Sequence, residues 1–233
     1  MTRRDILITG SSRGLGQAMA EHLLDQGHRV FGCARGQASI NHPQYYHFEA
    51  DVTDEASVGE LFMALRKITK SLDALINNAG IASMNAFALT PAKTAKAIFD
   101  VNVHGTFLFC QKALVFLKKT EHPRIVNFST VAVPLDLQGE ALYAASKSAV
   151  ESLTRILAKE YGAYGITCNA IGPSPIDTAL IKNVPEQKIQ ALLDRQAVKQ
   201  KANASDVINL LDFFLQSSSD LISGQVIYLG GIF

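Results

Sequence analysis

Short apolar runs of four to six residues alternate along this chain with longer stretches whose apolar positions follow a helical period. That alternation limits the fold more than any other feature, because it is the pattern of repeated βα units, with a parallel sheet covered by helices. The runs at 5–9, 29–33, 45–49, 74–77, 124–129, 167–170 and 225–229 read as strands. Helices are expected at about 14–26, 54–69, 91–118, 140–162, 185–196 and 204–217, each set off by Gly, Pro, Asp, Asn or Ser near an end. About ten residues, 36–44, join the second and third runs, too few for a full crossover helix. A length of 233 residues is compatible with one domain or two. No repeat, low-complexity tract or linker marks a boundary, so a single domain over 1–233 is expected.

Twenty-two Lys+Arg stand against 21 Asp+Glu, and 48% of the residues are hydrophobic, so a disordered chain or a polyanion-coating protein is disfavoured. Nucleic acid is therefore not an expected partner. Cys33, Cys110 and Cys168 are an odd number, far apart, without a CxxC pair. They fit a reducing compartment, and a cytoplasmic protein is expected because the chain opens straight into its first apolar run. The most apolar window, 101–117, contains His104, Gln111 and Lys112, so no membrane span is expected. His22, His28, His42, His47, His104 and His122 lack ligand spacing, and no metal is assigned. Phe99, Val101, Val103, Phe107, Leu108, Phe109, Leu114, Val115, Phe116 and Leu117 cannot share one helical face. A helix apolar all round needs a second surface, which points to a subunit interface.

Thr9-Gly10-Ser11-Ser12-Arg13-Gly14-Leu15-Gly16 follows the first strand and opens the first helix. Glycines there let the backbone approach a pyrophosphate, and the free amides and positive dipole end of the helix favour its charge. No Gly-Lys-Ser/Thr closes the loop, which removes the ATPase and GTPase readings. The second strand ends in Cys33-Ala34-Arg35, with no carboxylate to hold an adenosine ribose. Arg35 and Arg13, from adjacent loops, instead suit a 2′-phosphate, so NADP(H) is expected in preference to NAD(H). Asp51-Val52, after the third strand, suits the adenine edge.

Tyr143 and Lys147 stand at i and i+4 near the start of a predicted helix and project from one face. An ammonium beside a phenol favours the phenolate, so the pair suits proton donation to a carbonyl under reduction, or the reverse.

At this point the sequence resembles the short-chain dehydrogenase/reductase family, from residue 5 to about 230. The resemblance rests on TGxxxGxG at 9–16, Asn77-Asn78-Ala79-Gly80, Asn102 in Asp100-Val101-Asn102-Val103, YxxxK at 143–147, and the segment Gly172-Pro173-Ser174-Pro175-Ile176-Asp177-Thr178. It implies a single Rossmann-type, doubly wound α/β domain with a seven-stranded parallel sheet. It implies that Tyr143 is the general acid/base, that Lys147 binds the nicotinamide ribose and lowers the tyrosine pKa, and that Asn102 holds a relay water. Gly10, Ser12, Arg13, Gly14, Leu15 and Gly16 would cradle the phosphates. Asn78, Ala79 and Gly80 would line the adenine-ribose side, and Pro173, Ile176 and Thr178 the nicotinamide side. A homodimer or homotetramer through the helices at about 91–118 and 140–162 would follow.

The family's carbonyl-polarising serine falls on Thr130, preceded by Ser129. Neighbouring strand residues face opposite ways, and Thr130 is assigned the role. Ser174, Val133 and Gly230-Gly231-Ile232 also depart from the family's pattern. The stretch 178–204, with Leu180, Ile181, Val184, Ile189, Leu192 and Leu193, is expected to form a substrate lid.

The leading expectation is an NADPH-dependent reductase of a ketone or aldehyde, or a dehydrogenase of the matching secondary alcohol. A 3-oxoacyl carrier-protein reductase is the alternative. It is disfavoured because Glu121 and Tyr164 occupy places where such members tend to carry basic residues. An alternative of another class is a non-catalytic dinucleotide sensor, against which Asn102, Tyr143 and Lys147 argue.

Overall fold

The computed structural model describes residues 3–176 and 184–232. Seven strands form one parallel sheet: β1 (Asp5–Thr9), β2 (Arg29–Ala34), β3 (Tyr45–Glu49), β4 (Ala74–Asn77), β5 (Arg124–Phe128), β6 (Thr167–Gly172) and β7 (Val226–Tyr228), in the order β3-β2-β1-β4-β5-β6-β7. The helices are α1 (Gly14–Asp25), α2 (Glu55–Ile68), α3 (Ala92–Phe99), α4 (Gly105–Leu117), α5 (Ala141–Glu160), α6 (Glu186–Leu193) and α7 (Ala204–Leu215). The order reverses direction at β1 and β4, and in such sheets ligands bind in the crevice beyond the carboxyl ends of the strands at that switch.

Alternation along β1 shows how the core is divided. Leu7 points into a layer with Phe31, Leu75, Ile125 and Cys168 of the sheet and Val58, Leu61, Phe109 and Phe116 of α2 and α4. Its neighbours Ile6 and Ile8 point into the opposite layer, against Met19 and Leu23 of α1 and Val207, Leu211 and Phe214 of α7. Both faces are buried, so the strands read as continuous apolar runs in the sequence. Local signals fix the helix starts. The Asp54 side chain accepts the Ala56 N–H at 3.0 Å ahead of α2, and Asn203 and Asp206 form a reciprocal capping box at α7.

The single helix expected at 91–118 is α3 and α4 joined by a π-helical turn, Asp100–His104. Most of its apolar residues are internal, but Phe99, Phe107 and Val115 remain about 40% exposed (38%, 42% and 39%). With Val103, Leu153 and Ile156, Phe99 and Phe107 line an open groove between this helix and α5. Strand β5 stops at Phe128 rather than at 129, which leaves Ser129 and Thr130 on the chain emerging from the sheet. Strand β6 runs two residues further than expected because Gly172 pairs with Tyr228 of β7. The connection 36–44 contains no helix.

Candidate active site

The glycine loop leaves β1 at the switch point. Gly10 has φ +70°, and a Cβ there would lie 3.0 Å from Ala79 Cα; at Gly16 it would lie 2.1 Å from the Gly10 carbonyl oxygen. Only glycine fits either position. Asn78 seals the turn by donating to the Thr9 and Gly10 carbonyls at 3.1 and 3.2 Å. Thr9 Oγ1 in turn accepts the Ala79 N–H at 3.0 Å. Asn78 and Ala79 therefore shape the loop as well as flank it.

Arg13 is the exposed N-cap residue of α1 and makes no capping bond, and Arg35 is exposed at the end of β2. Asp51 accepts from Thr53 N and Oγ1 at 2.9 and 2.8 Å, bonds that hold its carboxyl below the usual range, with Arg35 adding to the effect. Val52 packs against Gly105, where a Cβ would come within 3.0 Å of it.

The second half of the site is built on α5 and the end of β5. Lys147 is buried and donates to the Phe128 carbonyl at 2.8 Å; burial pushes its ammonium down to about 8. Tyr143 stands one turn earlier on the same helix and is also buried. Burial pushes the phenol up to about 12; the nearby Thr130 hydroxyl opposes this and the Glu140 charge adds to it. Desolvation sets the net direction, and Lys147 gives one of its three N–H donors to the Phe128 carbonyl.

Thr130 rather than Ser129 meets the tyrosine. Ser129 is buried and donates to Glu151 Oε1 at 2.5 Å, and the Tyr228 hydroxyl reaches the same oxygen at 2.5 Å. Burial and the Glu151 carboxylate push the Tyr228 phenol up. The Tyr228 ring lies over Gly172, where a Cβ would come 2.3 Å from it.

The π-helical turn carries Asn102 into the interior, with no exposed surface. Its Oδ1 accepts Ile81 N at 2.9 Å, and its Nδ2 donates to Ile81 O and to Ser146 Oγ, each at 3.0 Å. Both amide protons are used, so a relay water expected at Asn102 finds no free donor on its side chain. A Cβ at Gly80 would stand 3.4 Å from Asn102 Oδ1 and 3.5 Å from Lys147 Nζ, so this glycine lies between the two side chains.

Of the nicotinamide-side residues, Pro173 accepts the Val131 N–H at 3.2 Å, and Ile176 bridges to Ala202. Thr178 lies outside the described residues, as do Leu180 and Ile181 of the expected lid. Ile189 and Leu193 of α6 are buried, and Leu192 packs on the cluster of Val131, Leu135 and Ile232.

Two partners carried no sequence signal. Neither Glu151 nor Gln196 belongs to any motif of the sequence. Gln196 is 2% exposed and donates to Ser174 Oγ at 2.7 Å, so the departure at Ser174 ties the cofactor-side loop to the chain after α6. Glu121 and Tyr164 need a correction. They precede β5 and β6, at the edge of the sheet opposite Tyr143, so within one chain neither lies beside the site.

A doubly wound parallel sheet with a glycine cradle and a Thr/Tyr/Lys group at its switch point defines a dinucleotide-dependent oxidoreductase site. A family model described as Enoyl-(Acyl carrier protein) reductase matches residues 10–231, and the chain belongs to this family of short-chain dehydrogenases/reductases. It is an oxidoreductase acting on CH–OH and C=O groups, and the family binds a nicotinamide dinucleotide. The 3-oxoacyl-(acyl-carrier-protein) reductase MabA of Mycobacterium bovis is 30% identical over 230 residues, covering 98% of this chain and 92% of that protein. A tropinone reductase homolog of Datura stramonium is 30% identical over 240 residues, covering 97% and 90%. A solved short chain dehydrogenase from Leptospira borgpetersenii with bound NAD+ superposes with a TM-score of 0.90 at 26% identity, covering 100% of this chain and 93% of that one. Among the described residues no helix is long and apolar enough to cross a membrane, and no cluster of His, Cys, Asp and Glu suits a metal ion.

The residues present fit a nicotinamide dinucleotide. The cradle closes if Gly10 or Gly16 gains a Cβ, and Lys147 keeps a buried ammonium close to Gly80, one helical turn from Tyr143.

Proposed function

We propose that this chain is an NADPH-dependent reductase of a ketone or aldehyde, or a dehydrogenase of the matching secondary alcohol. The observation that carries the reading is the pairing of buried Tyr143 and Lys147 one turn apart on α5, with Lys147 bonded to the end of β5 two residues before Thr130 and its Nζ close to Gly80 beside the glycine cradle. A nicotinamide held there would supply hydride chemistry at the carbonyl carbon. Thr130 donates to the substrate oxygen, and Tyr143 supplies the proton that turns an alkoxide into an alcohol. A phenol with its pKa raised to about 12 stays protonated at neutral pH, ready for the reductive direction. Lys147 balances charge as the proton leaves. Gly10, Ser12, Arg13, Gly14, Leu15 and Gly16 hold the phosphates, with Asp51, Val52, Asn78, Ala79 and Gly80 on the adenosine side. Pro173, Ile176 and Thr178 are assigned to the nicotinamide side, and the stretch 178–204 to the role of substrate lid.

The preference for NADP(H) rests on Arg13 and Arg35, which are exposed on the two loops assigned to the adenosine ribose. One domain over 1–233 carries both halves of the site. Three free, buried cysteines suit a cytoplasmic setting. The apolar groove of Phe99, Val103, Phe107, Leu153 and Ile156 suits a second copy of the chain, giving a homodimer or homotetramer.

A second reading, 3-oxoacyl-(acyl-carrier-protein) reduction, is favoured by the names of relatives such as MabA, and the position of Glu121 no longer weighs against it. A carbonyl panel with NADPH and NADH in parallel, followed by absorbance loss, tests all three readings. Turnover of ketones or aldehydes with NADPH supports the first, and turnover confined to acyl thioesters the second. Cofactor binding without turnover of any member would leave the dinucleotide sensor.

A further inference from the structure

Three hydrogen bonds run from the phosphate loop to the segment after β2. Ser11 Oγ meets the Tyr45 hydroxyl at 2.9 Å, the same hydroxyl meets His47 Nδ1 at 3.2 Å, and His47 Nε2 meets the Gly36 carbonyl at 2.7 Å. A carbonyl only accepts, so Nε2 carries the proton. A neutral imidazole then accepts at Nδ1 from the Tyr45 O–H, which leaves the Tyr45 oxygen to accept from Ser11. One direction of donation satisfies the whole chain.

The path is built into β2 and β3. Tyr45 and His47 are two apart on β3 and share a face, and His47 pairs with Gly32 of β2. The tyrosine passes directly over Gly32, where a Cβ would stand 2.0 Å from its hydroxyl and 2.4 Å from Ser11 Oγ. Any side chain at 32 breaks the path. Ser11 is fully buried, and its hydroxyl is bonded to Tyr45.

The two ends of the chain are the two loops that carry the arginines. Ser11 lies two residues before Arg13, and Gly36 follows Arg35. Among the described residues, no other hydrogen bond ties 35–41 to the sheet. Resting on the reading that Arg13 and Arg35 take a 2′-phosphate, we infer that Ser11, Tyr45 and His47 form a strut that sets the spacing of the arginine pair. Tyr45 and His47 are thus positioning residues for discrimination between NADP(H) and NAD(H). An arginine on an untethered loop still attracts a phosphate, but it has to be ordered on binding, and that cost falls on the 2′-phosphate alone.

Calorimetric titration of the full chain with NADPH, NADH and 2′,5′-ADP tests this. Wild type is expected to bind NADPH tighter than NADH. Tyr45→Phe, which keeps the ring over Gly32 and deletes the hydroxyl, should weaken NADPH and 2′,5′-ADP about tenfold and NADH less than twofold. His47→Leu should do the same. His47→Gln, whose amide can donate to Gly36 and accept from Tyr45, should restore most of the preference. Should Tyr45→Phe fail to fold, the two His47 variants on the partly exposed edge strand decide the matter. A wild type that prefers NADH sinks the NADP reading itself. A wild type that prefers NADPH, with a ratio unmoved in Tyr45→Phe and His47→Leu, overturns the strut alone, and a merely structural strut would give that result with a lowered Tm.

Discussion

Ser129 gives its hydroxyl at 2.5 Å to the buried carboxylate of Glu151, which stands on α5 one turn beyond Lys147. That bond fixes which of two adjacent hydroxyls serves the site. With Ser129 drawn toward Glu151 and Tyr228, the next residue, Thr130, is left to meet Tyr143.

Removing the Thr130 hydroxyl should therefore cost catalysis, and removing the Ser129 hydroxyl should cost mainly stability. Thr130→Val is expected to lower kcat about 100-fold, as loss of one oxyanion donor does. Thr130→Ser should stay within roughly fivefold of wild type, since it keeps the donor. Ser129→Ala should lose about 1 kcal/mol in urea melts with Glu151 still bonded to Tyr228. An inactive Ser129→Ala beside an active Thr130→Val would reverse the assignment.

Asn102 clasps both backbone groups of Ile81 and reaches Ser146, so its loss leaves buried groups unpaired. Asn102→Ala should lower stability by about 2–4 kcal/mol, on the scale of unsatisfied buried hydrogen-bonding groups. Because Ile81 follows Gly80 at the site, kcat should fall as well. Denaturant melts paired with steady-state rates check both effects.

Burial lowers the Lys147 pKa from 10.5 to about 8, and every tenfold loss of proton affinity corresponds to about 1.4 kcal/mol. The unfolded chain holds this proton more tightly, so below pH 8 the buried charge opposes folding by about 3 kcal/mol. That opposition fades as pH rises from 8 toward 10.5. Lys147→Met loses the bond to Phe128 O, about 1 kcal/mol, and should still be more stable than wild type by about 2 kcal/mol at pH 7. The gap should narrow between pH 8 and 10, and the variant should be inactive. Urea melts across that range that show a constant gap would remove the assignment of a strained, buried ammonium.

The groove of Phe99, Phe107 and Ile156 leaves apolar side chains in water on a helix pair otherwise well packed. If the proposed homo-oligomer forms through this groove, Phe107→Glu or Ile156→Glu should yield monomers in sedimentation velocity, because a carboxylate is not readily buried without a partner. An unchanged sedimentation coefficient would place the interface elsewhere.

The sequence by itself determined the parallel α/β sheet, the position of the glycine cradle and the Tyr143/Lys147 pair. Each of these is written in local periodicity or spacing: apolar runs for strands buried on both faces, glycines where a Cβ has no room, and i, i+4 for one helix face. The strand boundaries at β5 and β6 were less legible, because they depend on which neighbour each strand pairs with.

Only the tertiary structure decided what distant residues do to one another. The choice of Thr130 over Ser129 follows from Glu151 and Tyr228, 22 and 99 residues further along the chain. The upward shift at Tyr143 depends on burial, which no residue spacing encodes. The π-helical turn that delivers Asn102 to Ile81 looks in sequence like ordinary helix. The path from Ser11 to Gly36 exists because Gly32 lets a tyrosine cross from β3 to the phosphate loop. Periodicity reports which face a residue takes; hydrogen-bond partners and desolvation belong to contacts between faces, and those form only when the chain has folded.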